Sequence, residues 1–73
     1  MSVELIAKFR NKADGLEALV MDGNSTHNYR VVFRDTDADA TVFVRFTHTY
    51  LDCMKAVEEF LMGDFIRIEE NPA

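Results

Sequence analysis

The side chains of this chain that could bind a metal ion or act as catalysts are few, and three of them are closely spaced aspartates. Asp35, Asp37 and Asp39 have the D-x-D-x-D spacing that opens a calcium-binding EF-hand loop. The sixth position of that loop needs a glycine for its sharp turn, and the twelfth needs a glutamate that binds calcium through both oxygens. Ala40 and Phe46 occupy these positions. The pattern therefore predicts a solvated turn and no metal site.

Histidine and cysteine are the other candidates. His27 and His48 each lack a second ligand at metal-binding spacing. Cys53 could pair with a histidine as a nucleophile, because such pairs form in space rather than along the chain. It lies in an apolar helical stripe, however, where cysteine behaves as a small hydrophobic residue. Glu58 and Glu59 do not face each other on a helix. We therefore expect no catalytic residue, no cofactor, no metal and no enzymatic activity.

The composition indicates one small folded domain that spans residues 1–73. Of the 73 residues, 48% are hydrophobic and 29% are charged, which is typical of a globular chain. A chain of this length has little room for an enclosed ligand pocket, which usually needs about 300 Å³ or more. Its net charge of -5 is opposite to what strong non-specific nucleic-acid binding requires. An acidic surface suits a basic protein partner, or simply solubility.

The same composition predicts a cytoplasmic location. Cys53 is the single cysteine, so no disulfide can form within the chain, and this favours a reducing compartment. The N-terminal stretch MSVELIAKFRNK lacks the basic and apolar regions of a signal peptide. No apolar run approaches the roughly 18 residues that a membrane-spanning helix needs.

The stretch Ser2–Asp14 has the spacing of a helix. Ser2 is placed to cap its first turn, and Gly15 follows its last residue, as is common at helix ends. One face of that helix would carry Leu5, Ile6, Phe9 and Ala13. A strand stays open as the alternative, because apolar residues also alternate at Val3, Leu5, Ala7 and Phe9.

The rest of the chain predicts strands followed by a second helix. Leu16–Met21 is a short apolar strand, with extension of the first helix across Gly15 as the alternative. Tyr29–Phe46 is a hairpin whose loop, residues 35–40, is acidic. Thr49–Met62 is a helix that Thr49 caps and Gly63 ends. Residues 64–73 are either an edge strand or an acidic tail. The fold class is therefore α+β, in the order helix, three antiparallel strands, helix, with a possible fourth edge strand at the C-terminus.

The hairpin also carries the candidate binding surface. Alternation directs Tyr29, Val31 and Phe33 towards the core, and we expect Val42, Val44 and Phe46 to join them. The opposite face would then hold Arg30, Val32, Arg34, Phe43 and Arg45. Arginine and aromatic residues are enriched in protein interfaces and also suit stacking on single-stranded nucleic acid. We predict that these five residues bind a partner and that Asp37 and Asp39 steer it; ordinary exposed strand residues are the alternative.

The predicted element order resembles that of double-stranded-RNA-binding domains. The matching parts are Val3-Glu4-Leu5-Ile6, the strand Leu16–Met21, and the hairpin with His27 just before it. That family places a cluster of lysines at the start of its last helix. Here the corresponding stretch, YLDCMK, holds one lysine and one acid. The resemblance therefore implies the fold and does not extend to RNA binding.

The chain also resembles the small acidic transcription regulators with which bacteriophages bind RNA polymerase. The resemblance rests on its overall size and on the residue pattern of YRVVFRDTDADATVFVRF followed by DFIRIEENPA. The resemblance implies binding to the host polymerase and interference with sigma-factor-dependent initiation. We therefore expect a non-enzymatic regulator of a larger protein, with no membrane or small-molecule partner, located in the bacterial cytoplasm. The alternatives are a nucleic-acid-binding module that uses the arginines of the hairpin, or another small acidic inhibitor of a host protein.

Overall fold

The computed structural model describes residues 4–12 and 15–70, without the side chains of residues 69 and 70. It contains five strands and one helix within those residues. In chain order they are β1 (Leu5–Asn11), β2 (Leu16–Asp22), β3 (Tyr29–Asp35), β4 (Ala40–Thr47), α1 (Tyr50–Phe60) and β5 (Phe65–Glu70).

The prediction of a helix at the N-terminus is wrong, because this segment is strand β1. Ala7, Phe9 and Asn11 are all buried on one side of β1, which is the two-residue period of a strand. Two neighbours, β2 and β5, supply its backbone partners. Pairing on both sides and burial of Phe9 outweigh the modest helix propensity of this segment. Ser2 and Asp14, at the ends of the predicted helix, lie outside the described residues.

All five strands form one antiparallel sheet in the order β4-β3-β2-β1-β5. The two hairpins β1–β2 and β3–β4 are joined by the β2–β3 pairing, so the first four strands lie side by side as they follow one another in the chain. Helix α1 then crosses the sheet, and β5 pairs with β1 at the far edge. The C-terminal segment is therefore an edge strand rather than a tail; residues 71–73 lie outside the described part of the chain.

Both ends of α1 follow the predicted signals. The Thr49 hydroxyl accepts a hydrogen bond from the Asp52 N–H at 3.1 Å, which caps the first turn. At the other end, the Gly63 N–H donates to the Glu58 carbonyl at 2.8 Å. Met62 and Gly63 both have left-handed backbones, with φ of 59° and 73°. The helix thus ends in a reversal that places a non-glycine residue in a conformation glycine adopts more easily.

The core lies between α1 and the sheet face that it covers. Side chains from three central strands and from the helix are fully buried there, and the largest are Phe33, Leu61, Val20, Val31 and Val57. The Asn11 amide donates to the Leu61 carbonyl at 2.7 Å inside this core. That bond satisfies a carbonyl left over at the end of α1.

The register of the β3–β4 hairpin differs from the prediction on one strand. Val31 and Phe33 face the helix as expected, since both are buried in the core. In β4, however, Phe43 lies opposite Phe33 and Val44 lies opposite Val32. Directly opposed residues of an antiparallel pair share a face.

The face assignment of β4 is therefore inverted. Val44 and Phe46 point away from the helix, whereas Phe43 and Arg45 point towards it. A bulge at Val42 determines which residues of β4 face the helix. Val42 is the extra residue between the pairs Phe33–Phe43 and Arg34–Thr41.

Candidate functional site

The sheet face opposite α1, here called the helix-free face, is covered by no described helix or strand. Cross-strand pairing brings five apolar side chains of three adjacent strands onto it: Leu19, Met21, Val32, Val44 and Phe46. The first three are half-buried by their neighbours, and the last two are exposed on the edge strand β4. An apolar row on one side of a sheet is unusual where only water is expected, because antiparallel sheets commonly place polar residues there.

Four cations lie on the same helix-free face, and three of them surround one carboxylate. Lys8, Arg10 and Arg34 each approach Glu17 at 3.7–3.8 Å. The Glu17 side chain is only 5% exposed, whereas the three cations keep 25–49% of their surface. One negative charge therefore holds three positive charges at the surface, and the cluster keeps a net positive charge.

Arg30, the fourth cation, is held in place by its own loop. Its guanidinium donates to the carbonyls of Asp22 and Gly23 at 2.8 and 3.1 Å. The same group lies 5.2 Å from the centre of the Phe46 ring, a favourable cation–π distance. Glycine is required in this loop, since a Cβ at Gly23 would collide with the His27 carbonyl. Arg30 thus presents a fixed positive charge beside an exposed aromatic ring.

The acidic turn between β3 and β4 does not gather its aspartates around a common point. The Asp35 carboxylate accepts hydrogen bonds from the N–H groups of Asp37 and Ala38, which shapes the turn. Asp39 has a left-handed backbone and receives a 2.6 Å hydrogen bond from Arg34. Within residues 4–12 and 15–70, no group of three acid, histidine or cysteine side chains is placed to hold a metal ion. Asp37 and Asp39 instead form an exposed acidic border at one end of β4.

Phe43 and Arg45 lie on the other side of the sheet, in a groove between β4 and α1. The Phe43 ring packs against Phe33 and Phe60, with centroids 4.5 and 5.5 Å away. The groove has a volume of about 460 Å³, and Arg45 and Glu59 are among its lining residues. Phe43 is nevertheless 41% exposed, because α1 covers the edge strand only in part.

Cys53 is enclosed in the core. Its thiol lies 3.0 Å from the Thr47 hydroxyl, and the residue has no exposed surface. Burial raises the pKa of the thiol above its ordinary value; the hydrogen bond with Thr47 opposes this in part, and the nearby Asp52 charge adds to it. A raised pKa and an enclosed sulfur both lower the reactivity of a cysteine.

Sequence reasoning missed a pair of histidines. The rings of His27 and His48 stack with centroids 4.5 Å apart, and Phe46 lies 5.8 Å from His27. The hairpin register contains the signal, since the pairing of Tyr29 with Thr47 brings the residues just beyond these strand ends together. The Thr26 hydroxyl lies 2.9 Å from His27 Nδ1, so the pair is fixed at the end of β4 remote from the acidic turn.

The predicted partner-binding set is thus divided among three places. Arg30, Val32 and Arg34 share the helix-free face; Phe43 and Arg45 line the groove beside α1; Asp37 and Asp39 belong to the acidic turn. Strand β4 connects the three places. The sequence reasoning did not include Lys8, Arg10, Leu19 and Met21, which join the helix-free face from β1 and β2.

Comparisons with known proteins add no relative. No family model, no curated protein and no solved structure matches this chain. In the described ranges, 4–12 and 15–70, there is no helix of the length and apolar character needed to span a bilayer. The geometry of the sheet and its charges are therefore the basis for inferring a function.

Proposed function

We propose that this protein is a non-enzymatic regulator that binds a larger protein through its helix-free face. The observation that carries the proposal is the row of apolar side chains on that face, bordered by the cations around Glu17. Apolar centres with arginine nearby are typical of protein interfaces. A second layer of protein would remove Val44 and Phe46 from water and complete the burial of the sheet.

The charges support a protein partner over a nucleic acid. Lys8 and Arg10 offer positive charge at one part of the face, Arg34 and Asp39 form an ion pair at 2.6 Å, and Asp37 offers negative charge at the border. A nucleic-acid backbone carries one sign only, and the acidic border would repel it. A protein surface can carry acids opposite Lys8 and Arg10 and a base opposite Asp37. The net charge of -5 also favours approach to basic regions of a partner.

The specific partner in this proposal is bacterial RNA polymerase, and the support for it is the resemblance to bacteriophage-encoded regulators. Binding would inhibit or modulate transcription by blocking a surface of the polymerase or altering its conformation. The protein would then act in the cytoplasm of the bacterial host. The enclosed, weakly acidic Cys53 thiol is consistent with a regulator that acts by binding alone.

The test is a binding titration with purified bacterial RNA polymerase, followed by gel filtration of the mixture. We expect co-elution, and a dissociation constant that rises only modestly when salt is raised, because salt screens the charged residues of the interface and not its apolar centre. A parallel titration uses a single-stranded and a duplex DNA oligonucleotide. We expect no binding to either at physiological salt.

Two results would refute the proposal. Failure of the polymerase to bind the folded chain would remove the named partner. Capture of the oligonucleotides, with an affinity that falls steeply and linearly on a log–log plot against salt, would identify the helix-free face as a nucleic-acid surface. The salt slope distinguishes the two classes because it counts the phosphates that are neutralised.

A further inference from the structure

Strand β4 is an edge strand with unusually little protection. Edge strands normally carry lysine or proline, or are covered, because their outer backbone groups can pair with another chain. Four of the eight residues of β4 are apolar and 39–51% exposed: Val42, Phe43, Val44 and Phe46. Arg45 is the single charged side chain within it. The bulge at Val42 blunts one end, and the stretch from Phe43 to Thr47 stays regular.

A second copy of this chain fits that edge through simple geometry. Two copies of β4 can pair antiparallel about a twofold axis perpendicular to the sheet, which keeps each face on its own side. Directly opposed residues must share a face of the sheet. The twofold axis therefore has to lie at the position of one residue, which then faces its own copy, and cannot lie midway between two consecutive residues. Each choice of that residue sets a different group of neighbours across the junction.

An axis at Val44 gives compatible pairs of side chains across the junction between the two copies. An axis there places Val44 against its own copy on the helix-free face, and Phe43 against Arg45 of the partner on the other face. The second contact is a cation–π pair between side chains that both line the groove. An axis at Arg45 would instead oppose two like charges, which destabilises a strand pair.

We propose that the protein forms a homodimer by antiparallel pairing of β4 with β4 of a second copy, centred on Val44. The ten-stranded sheet that results has one continuous helix-free face. It encloses the exposed apolar surface of the edge and uses Phe43 and Arg45, two predicted partner-binding residues that lie off the helix-free face. The dimer forms without any other partner, so its test is independent of the proposed polymerase binding.

The test combines the mass in solution with a disulfide placed at the axis. Sedimentation equilibrium of the unmodified chain should give twice the mass of one chain. Under mild oxidation Val44→Cys should form a covalent dimer, because the two side chains meet across the axis. Ile66→Cys is the matched control, since Ile66 is equally exposed on the helix-free side of the opposite edge strand, β5. Cys53 is buried in both variants and in the unmodified chain.

A second variant tests the same contact without oxidation. Val44→Lys places two ammonium groups against each other across the axis and should return the mass to that of one chain. Ile66→Lys should leave the dimer intact. A monomeric unmodified chain would overturn the proposal, and so would cross-linking of Ile66→Cys in preference to Val44→Cys, which would assign the contact to β5.

Discussion

Replacing Glu17 with glutamine should destabilise the fold, because Glu17 is the anion at the centre of the cluster of cations on the helix-free face. The carboxylate is nearly enclosed, and three cations approach it at 3.7–3.8 Å. Glutamine keeps the shape of the side chain and removes only its charge. Lys8, Arg10 and Arg34 would then repel one another without a central anion.

The magnitude follows from the exposure of the cations. Exposed ion pairs typically contribute about 0.2–1 kcal/mol each, and losing a fully buried partner costs about 3–5 kcal/mol. Here the anion is buried and the cations remain partly in water, so we expect a loss between these limits, about 1–2 kcal/mol of unfolding free energy for Glu17→Gln. In a domain of this size, that lowers the melting temperature by about 4–16 °C.

The assay is urea denaturation followed by circular dichroism, with Glu58→Gln as the control. Glu58 is an exposed acid on α1, so its neutralisation changes the net charge equally without touching the cluster. A double-mutant cycle with Arg34→Gln should give a coupling free energy of about 0.5 kcal/mol or more between Glu17 and Arg34. If Glu17→Gln were as stable as Glu58→Gln, the cluster would contribute nothing and the reasoning would be wrong.

Three further predictions concern the core and the ends of α1. Burial in the folded state raises the pKa of the Cys53 thiol. The stability that this group contributes is therefore complete below the pKa of the unfolded thiol, near 9.0. This stability declines as pH rises from there through the pKa of the folded state. Urea midpoints between pH 8 and 10.5 should therefore fall more steeply for the unmodified chain than for Cys53→Ala, and equal slopes would contradict this. Met62→Gly should raise the unfolding free energy by about 0.5–1 kcal/mol, because Met62 is exposed and has a left-handed backbone. A lower melting temperature for this variant would show that the contacts of the Met62 side chain outweigh the strain of its backbone. Thr49→Ala should cost about 1 kcal/mol by removing the cap on Asp52, whereas Thr26→Ala, in an exposed loop, should cost less in the same melt.

The parts of the fold that could be predicted from the sequence are those with strong local signals. Thr49 and Gly63 marked the ends of α1 because caps depend on neighbouring residues alone. The hairpin strands β3 and β4 were recognisable from their alternation and the acidic turn between them. Strand β1 was mistaken for a helix, since its apolar residues fit both periods and its pairing with β5, 54–63 residues away along the chain, leaves no local signal.

The candidate site could be predicted only on β3. There the alternate residues of one face, Val31 and Phe33, are clearly apolar, so Arg30 and Arg34 could be assigned to the opposite face. On β4 both phases contain apolar residues, and the bulge decided which of them faced the helix. Helix α1 covers the edge strand β4 only in part, so Arg45 is tolerated on the side of β4 that faces the helix. The hydrophobicity of the β4 residues therefore did not indicate which of them face the helix.

The most direct test of the central claim compares two pairs of neutralised cations in the titration with RNA polymerase. Arg10→Gln with Arg34→Gln removes two cations from the helix-free face. Lys55→Gln with Arg67→Gln removes two from the helix and from the side of the sheet that α1 covers. With folding verified for both variants, we predict that the first pair weakens binding by about tenfold or more, as expected for interface arginines, and that the second leaves it nearly unchanged. Equal effects, or a larger loss from the second pair, would contradict the assignment of the helix-free face as the binding surface.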